Sequence, residues 1–335
     1  MILVTGCAGF IGYHTCHRLC SQGVQVVGID NLNDYYDVNL KSARLSKLQF
    51  FDNFKFYKVD ILDRNSLDSI FRSHEFEFIL HLAAQAGVRY SCIHPDTTVD
   101  INVVGFLNML EVCKNLPTLK HFVYGSSSSV YGINEKVPFS ETDTTDQPIS
   151  VYAVTKKANE LLAHVYAHQY KIRFTGVRFF TVYGPWGRPD MAIYKFTKSI
   201  MEGKPIDVYN NGENRRSFTY IDDVVDALVD LIHMPQNENV PASNSLASQS
   251  GSNAIFNIGF GDTVTTNQLI VLLEEKIGRK AALNVLKGQP GDVDITMADS
   301  TKLSKTIGLS PQVDIEKGLA MFIKWFKEYY NDDCK

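Results

Sequence analysis

The stretch ILVTGCAGFIG, residues 2–12, decides the fold. Four strand-forming residues run directly into three glycines spaced three apart, and a helical pattern follows at about residues 10–22. Glycines at this spacing allow a tight turn, let the backbone approach a pyrophosphate and let the helix pack closely on the strand. The amide groups at the beginning of the helix then suit the phosphates. We therefore predict a dinucleotide-binding turn formed by Gly6, Gly9, Phe10, Ile11 and Gly12.

An acidic residue ends the second predicted strand. Asp30 can accept hydrogen bonds from both hydroxyls of a ribose, and its charge would repel a 2′-phosphate. Asn31 follows it, and no Arg or Lys is adjacent in the chain to receive such a phosphate. The sequence therefore predicts NAD rather than NADP.

The first half of the chain alternates short apolar runs with helical patterns. We predict strands at residues 2–5, 25–29, 55–59, 78–82, 121–125 and 173–179, and helices at about 10–22, 40–49, 64–73, 97–115 and 151–170. Apolar strands that alternate with helices are typical of a parallel sheet covered on both faces. We predict an α/β fold of the Rossmann type, a doubly wound parallel sheet.

Beyond about residue 180 this rhythm loosens and prolines interrupt it. We expect residues 1–180 to form the NAD-binding domain, to which later segments return. Residues 181–335 would mainly form a smaller, partly interleaved α/β lobe for the substrate. Residues 235–253, rich in Ser, Asn, Pro and Gln, read as an exposed loop.

A tyrosine and a lysine four residues apart carry the predicted chemistry. Tyr152 and Lys156 project from one face at the start of a helix, and GSSSSVYG, residues 125–132, ends the fifth strand. Ligands of doubly wound folds bind beyond the carboxyl ends of the strands. A free tyrosine has a pKa near ~10, so a nearby ammonium and a nicotinium ring are needed to favour the phenolate. A serine of the run would hold a substrate hydroxyl in line with the tyrosine.

Composition excludes several other classes of protein. The 335 residues are 44% hydrophobic and 21% charged, which is typical of a globular chain rather than a disordered one. The net charge of −4 and the absence of a long Lys/Arg cluster argue against nucleic-acid binding. No apolar run approaches the ~20 residues of a membrane span, and the start lacks the basic segment of a signal peptide. We expect a soluble, cytoplasmic protein without a membrane partner.

Two groups of metal-ligating residue types do not form a metal-binding motif. Cys16, His17 and Cys20 lie close together, but no Cys-x-x-Cys pair completes a tetrahedral site. His164 and His168 have helical spacing but lack the intervening Glu of a zinc hydrolase helix. We expect no metal.

Longer stretches resemble the extended short-chain dehydrogenases/reductases, and within them the nucleotide-sugar 4-epimerases, above all those that act on UDP-glucuronate. The likeness extends from Gly6 to the C-terminal helices. It is carried by DNLNDYYD (30–37), HLAAQAGVRYS (81–91), RFFTVYGPWGRPDM (178–191), RRSFTYIDDV (215–224) and QPGDV (289–293).

This resemblance implies NAD-dependent epimerisation at C4 of a UDP-sugar, most of all UDP-glucuronate to UDP-galacturonate, through a transient 4-keto sugar in a homodimer that retains NAD. It makes Ser127 the catalytic serine beside Tyr152 and Lys156, with Ser129 a possible partner. It adds cofactor contacts at Asp60, Ile61, Leu82, Ala83, Ala84, Asn102 and Phe180. It places substrate contacts at Val88, Arg89, Ser127, Ser128, Ser129, Tyr152, Thr181, Arg188, Arg216 and Asp292. Arg188 would fork onto the sugar carboxylate, unless it is only a solvated loop residue, and Arg216 would meet the nucleotide phosphates.

Four alternatives stay open. The substrate could be UDP-glucose or UDP-N-acetylglucosamine, which pocket residues rather than the fold decide. A 4,6-dehydratase needs an Asp-Glu pair where Ser128 and Ser129 stand, and a UDP-glucuronate decarboxylase typically carries a Glu near that turn. From a different class, a non-catalytic NAD-responsive binding protein could use the same fold.

Overall fold

The computed structural model describes residues 1–234, 252–259, 262–287 and 293–332. Its strands are β1 (Ile2–Thr5), β2 (Val26–Asp30), β3 (Phe54–Lys58), β4 (Phe78–His81), β5 (His121–Ser127), β6 (Phe174–Phe179), β7 (Thr181–Tyr183), β8 (Pro205–Tyr209), β9 (Arg215–Tyr220), β10 (Asn253–Ile258), β11 (Thr263–Thr265), β12 (Ala282–Leu286) and β13 (Ile295–Thr296). Its α-helices are α1 (Phe10–Ser21), α2 (Val38–Leu48), α3 (Arg64–Ser73), α4 (Val88–Ile93), α5 (Pro95–Val99), α6 (Gly105–Cys113), α7 (Val151–Tyr170), α8 (Ala192–Glu202), α9 (Ile221–His233), α10 (Thr266–Ile277), α11 (Thr301–Ile307) and α12 (Ile315–Asp332).

The main sheet contains seven of the described strands, in the order β10-β6-β5-β4-β1-β2-β3, and every neighbouring pair is parallel. Strands β1, β2 and β5 are buried along their whole length. One face packs against apolar side chains of α1 and α9, such as Leu19 and Leu228, and the other against α6 and α7, such as Phe106 and Ala163. The predicted doubly wound α/β fold is confirmed.

The remaining described strands form two small sheets. Strand β9 pairs in parallel with β7 and β13 and antiparallel with β11, while β8 pairs in parallel with β12. Strand β10 comes from beyond residue 180 yet lies beside β6 in the main sheet. The predicted loop at 235–253 falls mostly outside the described residues, and its last residue, Asn253, begins β10.

The long helix expected at 97–115 is divided. Helices α5 and α6 are separated by a wider π-helical turn, Asp100–Val104. Asn102 in this turn is buried, accepts from the Gln85 amide (2.8 Å) and donates to the Gln85 carbonyl and to Thr155 Oγ1 (both 3.0 Å). Such turns are common at functional sites, and this one anchors the loop after β4. Among the described residues, no helix is both long and apolar enough to cross a lipid bilayer.

Candidate active site

A cavity of about 270 Å³ lies beyond the carboxyl ends of β1, β2, β4 and β5. Of the residues singled out from the sequence, it is lined by Gly6, Gly9, Phe10, Ile11, Gly12, Asp30, Asn31, Asp60, Ile61, Leu82, Ala83, Ala84, Ser127, Tyr152, Lys156, Phe180 and Arg188. The structure therefore brings residues of the predicted cofactor site and of the predicted catalytic group into one cavity. Such a crevice at the strand ends is where doubly wound sheets bind ligands.

The three glycines of the glycine turn, residues 6–12, have no room for a side chain. Gly6 adopts φ +72°, and a Cβ on Gly12 would lie 2.1 Å from the Gly6 carbonyl oxygen. Gly9 precedes α1 without any side chain that caps the helix. The first amide groups of α1 are thus presented to a ligand, which suits the pyrophosphate of a dinucleotide.

The carboxylate of Asp30 is held in place by backbone groups. It accepts from the amides of Ala8 (3.1 Å) and Leu32 (2.8 Å). Next to it, Asn31 Nδ2 donates to Asp60 Oδ2 at 2.8 Å. These contacts fix an acidic group at the place where the ribose of a dinucleotide is expected.

The structure adds a cation that sequence reasoning missed. Lys41 of α2 lines the same cavity and donates to the carbonyl (2.7 Å) and side-chain oxygen (2.6 Å) of Asn33. Burial lowers the pKa of Lys41, while the negative charge of Asp30 acts in the opposite direction. No Lys follows Asp30 directly in the chain, but the position of α2 brings Lys41 close to Asp30. A lysine on the buried face of that helix was the available signal.

The catalytic group lies at the first turns of α7. Ser150 caps the helix, and its Oγ accepts from the Ala153 amide at 3.1 Å. Lys156 Nζ lies 5.8 Å from the centre of the Tyr152 ring and donates to the Gly125 carbonyl at 2.8 Å. At the end of β5, the Ser127 hydroxyl donates to Ser129 Oγ at 3.1 Å.

Burial shifts the pKa values of Tyr152 and Lys156, and at Tyr152 neighbouring groups oppose this shift. Burial raises the pKa of the Tyr152 phenol, and the nearby Arg188 guanidinium and Ser127 hydroxyl counteract that rise. Burial also lowers the pKa of Lys156 to about 8. Lys156 is therefore mostly charged at neutral pH, and the phenol depends on the cations around it to lose its proton.

Glu160 continues the functional face of α7 by one more turn. Its carboxylate accepts from Ser126 Oγ (2.7 Å) and from Arg178 Nε and Nη2 (2.8 and 2.9 Å). Glu160 is 5% and Arg178 3% exposed. Neither residue is assigned a role from the sequence, although Glu160 follows Lys156 at the same spacing that joins Lys156 to Tyr152.

Arg188 is not the solvated loop residue of the alternative interpretation. Its guanidinium lines the cavity and forks onto Asp190, with Nε 3.0 Å and Nη2 2.5 Å from the two carboxylate oxygens. The Tyr35 hydroxyl also donates to Asp190, at 3.2 Å. Two of the five N–H groups of Arg188 thus donate to Asp190, and this ion pair fixes the orientation of the guanidinium.

Two other residues expected to contact the substrate, Arg89 and Arg216, line a second cavity of about 170 Å³. Arg89, Tyr209, Asn214, Arg216 and Phe218 are among the residues that line it. The Arg89 guanidinium lies over the Tyr209 ring at 5.1 Å. Of the described residues predicted to contact ligands, five line neither cavity: Val88, Asn102, Ser128, Ser129 and Thr181. Asp292 lies outside the described residues.

Known proteins resemble this chain along nearly its whole length. The sequence profile described as GDP-mannose 4,6 dehydratase matches residues 3–322. The probable UDP-glucuronate 4-epimerase of Rhizobium meliloti is 46% identical over 332 residues, 98% of this chain and 97% of that protein.

Solved structures extend this likeness to the fold. The crystal structure of UDP-glucuronic acid 4-epimerase from Bacillus cereus in complex with UDP-glucuronic acid and NAD has a TM-score of 0.88 and 34% identity, covering 98% of this chain and 99% of that one. UDP-glucose 4-epimerase from Thermotoga maritima, with UDP-glucose, has a TM-score of 0.86 and 32% identity over 98% and 99%.

Replacing Asp30 with Asn should reduce the preference for NAD over NADP by at least about tenfold, or roughly 1.4 kcal/mol. The carboxylate that repels a 2′-phosphate is lost, while the Lys41 ammonium stays nearby. Calorimetric titration of cofactor-stripped protein with both dinucleotides measures the ratio. The double variant Asp30→Asn/Lys41→Met is the control and should not gain NADP affinity. An unchanged preference in Asp30→Asn would contradict the role of Asp30.

Proposed function

The chain belongs to the NAD-dependent nucleotide-sugar epimerase and dehydratase family of the extended short-chain dehydrogenases/reductases, and we propose that it interconverts UDP-glucuronate and UDP-galacturonate. The reaction inverts C4 of the sugar through a transient 4-keto intermediate. The observation that carries the proposal is the meeting of Tyr152, Lys156, Ser127 and Arg188 in the cavity that the glycine turn and Asp30 also line.

The residues present fit NAD. No side chain caps the first backbone amides of α1, so they can bind a pyrophosphate, and Asp30 lies where a ribose is expected. When bound, NAD would supply a reversible hydride acceptor for C4, so that the inversion at C4 would need no net oxidant. The work of the protein is to move a proton, to hold the sugar and to exclude side reactions.

Tyr152 is the group that we assign to the proton. Its phenolate takes the proton of the C4 hydroxyl as the 4-keto sugar forms and gives it back after the sugar has turned. Lys156 supplies a positive charge beside the phenol and holds the end of β5 through the Gly125 carbonyl. Ser127 lies next to the phenol and favours its ionised form, so we assign it to the substrate hydroxyl as well.

Arg188 is the group that we assign to the sugar carboxylate. The 4-ketone of a glucuronate is β to the C5 carboxylate, and such an acid loses carbon dioxide when the breaking bond aligns with the carbonyl π system. A fixed guanidinium that binds the carboxylate prevents this alignment. Asp190 directs Arg188 towards the cavity and leaves N–H groups for a second carboxylate.

The second cavity suits the nucleotide half of the substrate. Arg89 and Arg216 supply cations for a diphosphate, and Tyr209 and Phe218 supply aromatic faces for a base. We therefore propose that the lobe formed mainly by residues 181–335 holds the UDP group, while the domain of residues 1–180 holds NAD.

A UDP-glucose 4-epimerase is the second candidate, because the Thermotoga maritima enzyme shares the fold at nearly the same similarity. A 4,6-dehydratase lacks support despite the matching profile. Elimination needs acidic groups beside the catalytic hydroxyl, where Ser128 and Ser129 stand. A decarboxylase is disfavoured because residues 126–129 are all serine, so that this run contains no Glu.

We also propose that the chain forms a homodimer through α5, α6 and α7. Helices α5 and α6 both pack on α7, and the three helices with the π-helical turn between α5 and α6 expose apolar side chains: Val99, Val104, Leu107, Val154, Leu161 and Val165. Those of α7 recur at helical spacing and form one stripe. In a two-fold symmetric dimer the same patch of both subunits forms the interface, so this stripe would pack against its own copy.

Changing Tyr152 to Phe should lower turnover by about 10²-fold or more, because the proton acceptor is lost while the ring is kept. Changing Ser127 to Ala should cost less and should move the acidic limb of the pH profile of kcat to higher pH, because the phenol then ionises less readily. Steady-state kinetics with UDP-glucuronate between pH 6 and 10 test both. A profile that does not move in Ser127→Ala would contradict its role.

Changing Arg188 to Ala should lower the selectivity for UDP-glucuronate over UDP-glucose by about tenfold to a hundredfold, since a hydrogen bond to a charged group is worth roughly 1.5–3 kcal/mol. The fraction of UDP-pentose should rise as the carboxylate becomes free to rotate. Chromatography of the products from both sugars measures both effects. Arg188 also favours ionisation of Tyr152, so a loss common to both sugars is expected and only the ratio decides. An unchanged ratio would refute the glucuronate assignment.

Changing Leu161, which is 57% exposed on α7, to Glu should convert the dimer to a monomer. The control is Val271→Glu on α10, a position 48% exposed outside the stripe, and it should stay dimeric. Sedimentation velocity at micromolar concentration distinguishes the two species. Dimers of equal stability in both variants would place the interface elsewhere.

A further inference from the structure

Arg44 of α2 is a buried cation that connects three segments of the chain. It has no exposed surface. Its Nη1 donates to the Ala8 carbonyl (2.9 Å) and the Tyr36 hydroxyl (2.7 Å). Its Nη2 donates to the carbonyls of Trp186 (2.5 Å) and Gly187 (3.3 Å). The guanidinium thus holds the glycine turn and the loop after β2 with one nitrogen, and the turn that precedes Arg188 with the other.

This cation lacks the counter-charge that burial normally requires. Its partners are three carbonyls and one phenol, and none of the described carboxylates forms a salt bridge with it. Its Nε is buried without a hydrogen-bond partner in the described chain. Burying an unpaired charge is costly. A negative group bound on the glycine turn, whose Ala8 carbonyl Arg44 holds, would stabilise the cation.

The turn that Arg44 holds spans the two cavities. This substrate turn, residues 184–191, contributes Arg188 and Met191 to the larger cavity. It continues into α8, where Ala192 and Phe196 line the smaller one. On the cofactor side, the Ala8 amide donates to Asp30 while the Ala8 carbonyl accepts from Arg44. One continuous chain of hydrogen bonds therefore leads from Asp30 to the substrate turn.

We propose that Arg44 is a positioning residue that couples the dinucleotide site to the nucleotide-sugar site. The pyrophosphate of the dinucleotide strengthens the hold of Arg44 on the substrate turn, and an ordered turn binds the nucleotide diphosphate more tightly. Such coupling is reciprocal, so a ligand in the smaller cavity must also tighten the dinucleotide. The inference rests on the proposed function, which identifies the smaller cavity as the UDP site.

Reciprocity allows a test that does not depend on turnover. The purified holoenzyme is mixed with excess apo acceptor dehydrogenase, and the rate of NAD release is followed with and without saturating UDP. UDP should slow release by at least about fivefold in the wild type, the lower end of typical coupling energies. In Arg44→Met the two rates should agree within about twofold. Arg44→Lys keeps the positive charge and should give the same result as Arg44→Met, release rates with and without UDP that agree within about twofold. One ammonium on a shorter stem cannot bind both segments at once.

A matched control separates coupling from general loss of stability. Arg173 is half-buried just before β6, and its Nη1 donates to the Met234 carbonyl at 2.6 Å. Arg173→Met should lower the melting temperature yet keep the effect of UDP on NAD release. Retention of that effect in Arg44→Met or Arg44→Lys would overturn the inference, as would equal release rates in the wild type. Calorimetry of the wild type with UDP is done first: absence of binding would instead refute the proposed UDP site and the premise that depends on it.

Discussion

The attachment of α7 to the carboxyl end of β5 is the constraint on which the site depends. Lys156 binds the Gly125 carbonyl, and one turn later Glu160 binds Ser126 together with Arg178, which lies opposite Ser126 on β6. Two consecutive turns of α7 are thus hydrogen-bonded to two consecutive residues of β5. The next residue of that strand is Ser127, and the preceding turn of the helix carries Tyr152. The contacts of Lys156 and Glu160 with β5 therefore fix the position of Tyr152 relative to Ser127.

The Glu160–Arg178 pair makes this attachment rigid at some cost. Two charges removed from water offset their desolvation only through good geometry, and here both oxygens of Glu160 receive donors. Removing one partner of such a pair typically costs about 3–5 kcal/mol.

Local patterns explain what the sequence could predict. The glycine turn, Asp30 and the strand–helix alternation are contiguous in the chain, and the helical spacing of Tyr152 and Lys156 is read directly. Arg44 and Glu160 could not be predicted because their partners lie on other elements: Arg44, for instance, contacts carbonyls 142 and 143 residues away. Lys41 and Asp190 bind residues nearer in the chain, Asn33 and Arg188, through loop conformations that no local pattern predicts. The division of the substrate residues between two cavities depends on how the small sheets pack, which no local pattern encodes.

The fate of the hydrogen on C4 shows whether the sugar is inverted by removal and return of a hydride. UDP-glucuronate deuterated at C4 is incubated with the holoenzyme in ordinary water, and the products are examined by NMR. We expect UDP-galacturonate that keeps its deuterium at C4, because the hydride is returned to the carbon from which it came without leaving the cavity. Loss of the label to solvent, or UDP-pentose as the main product, would contradict it.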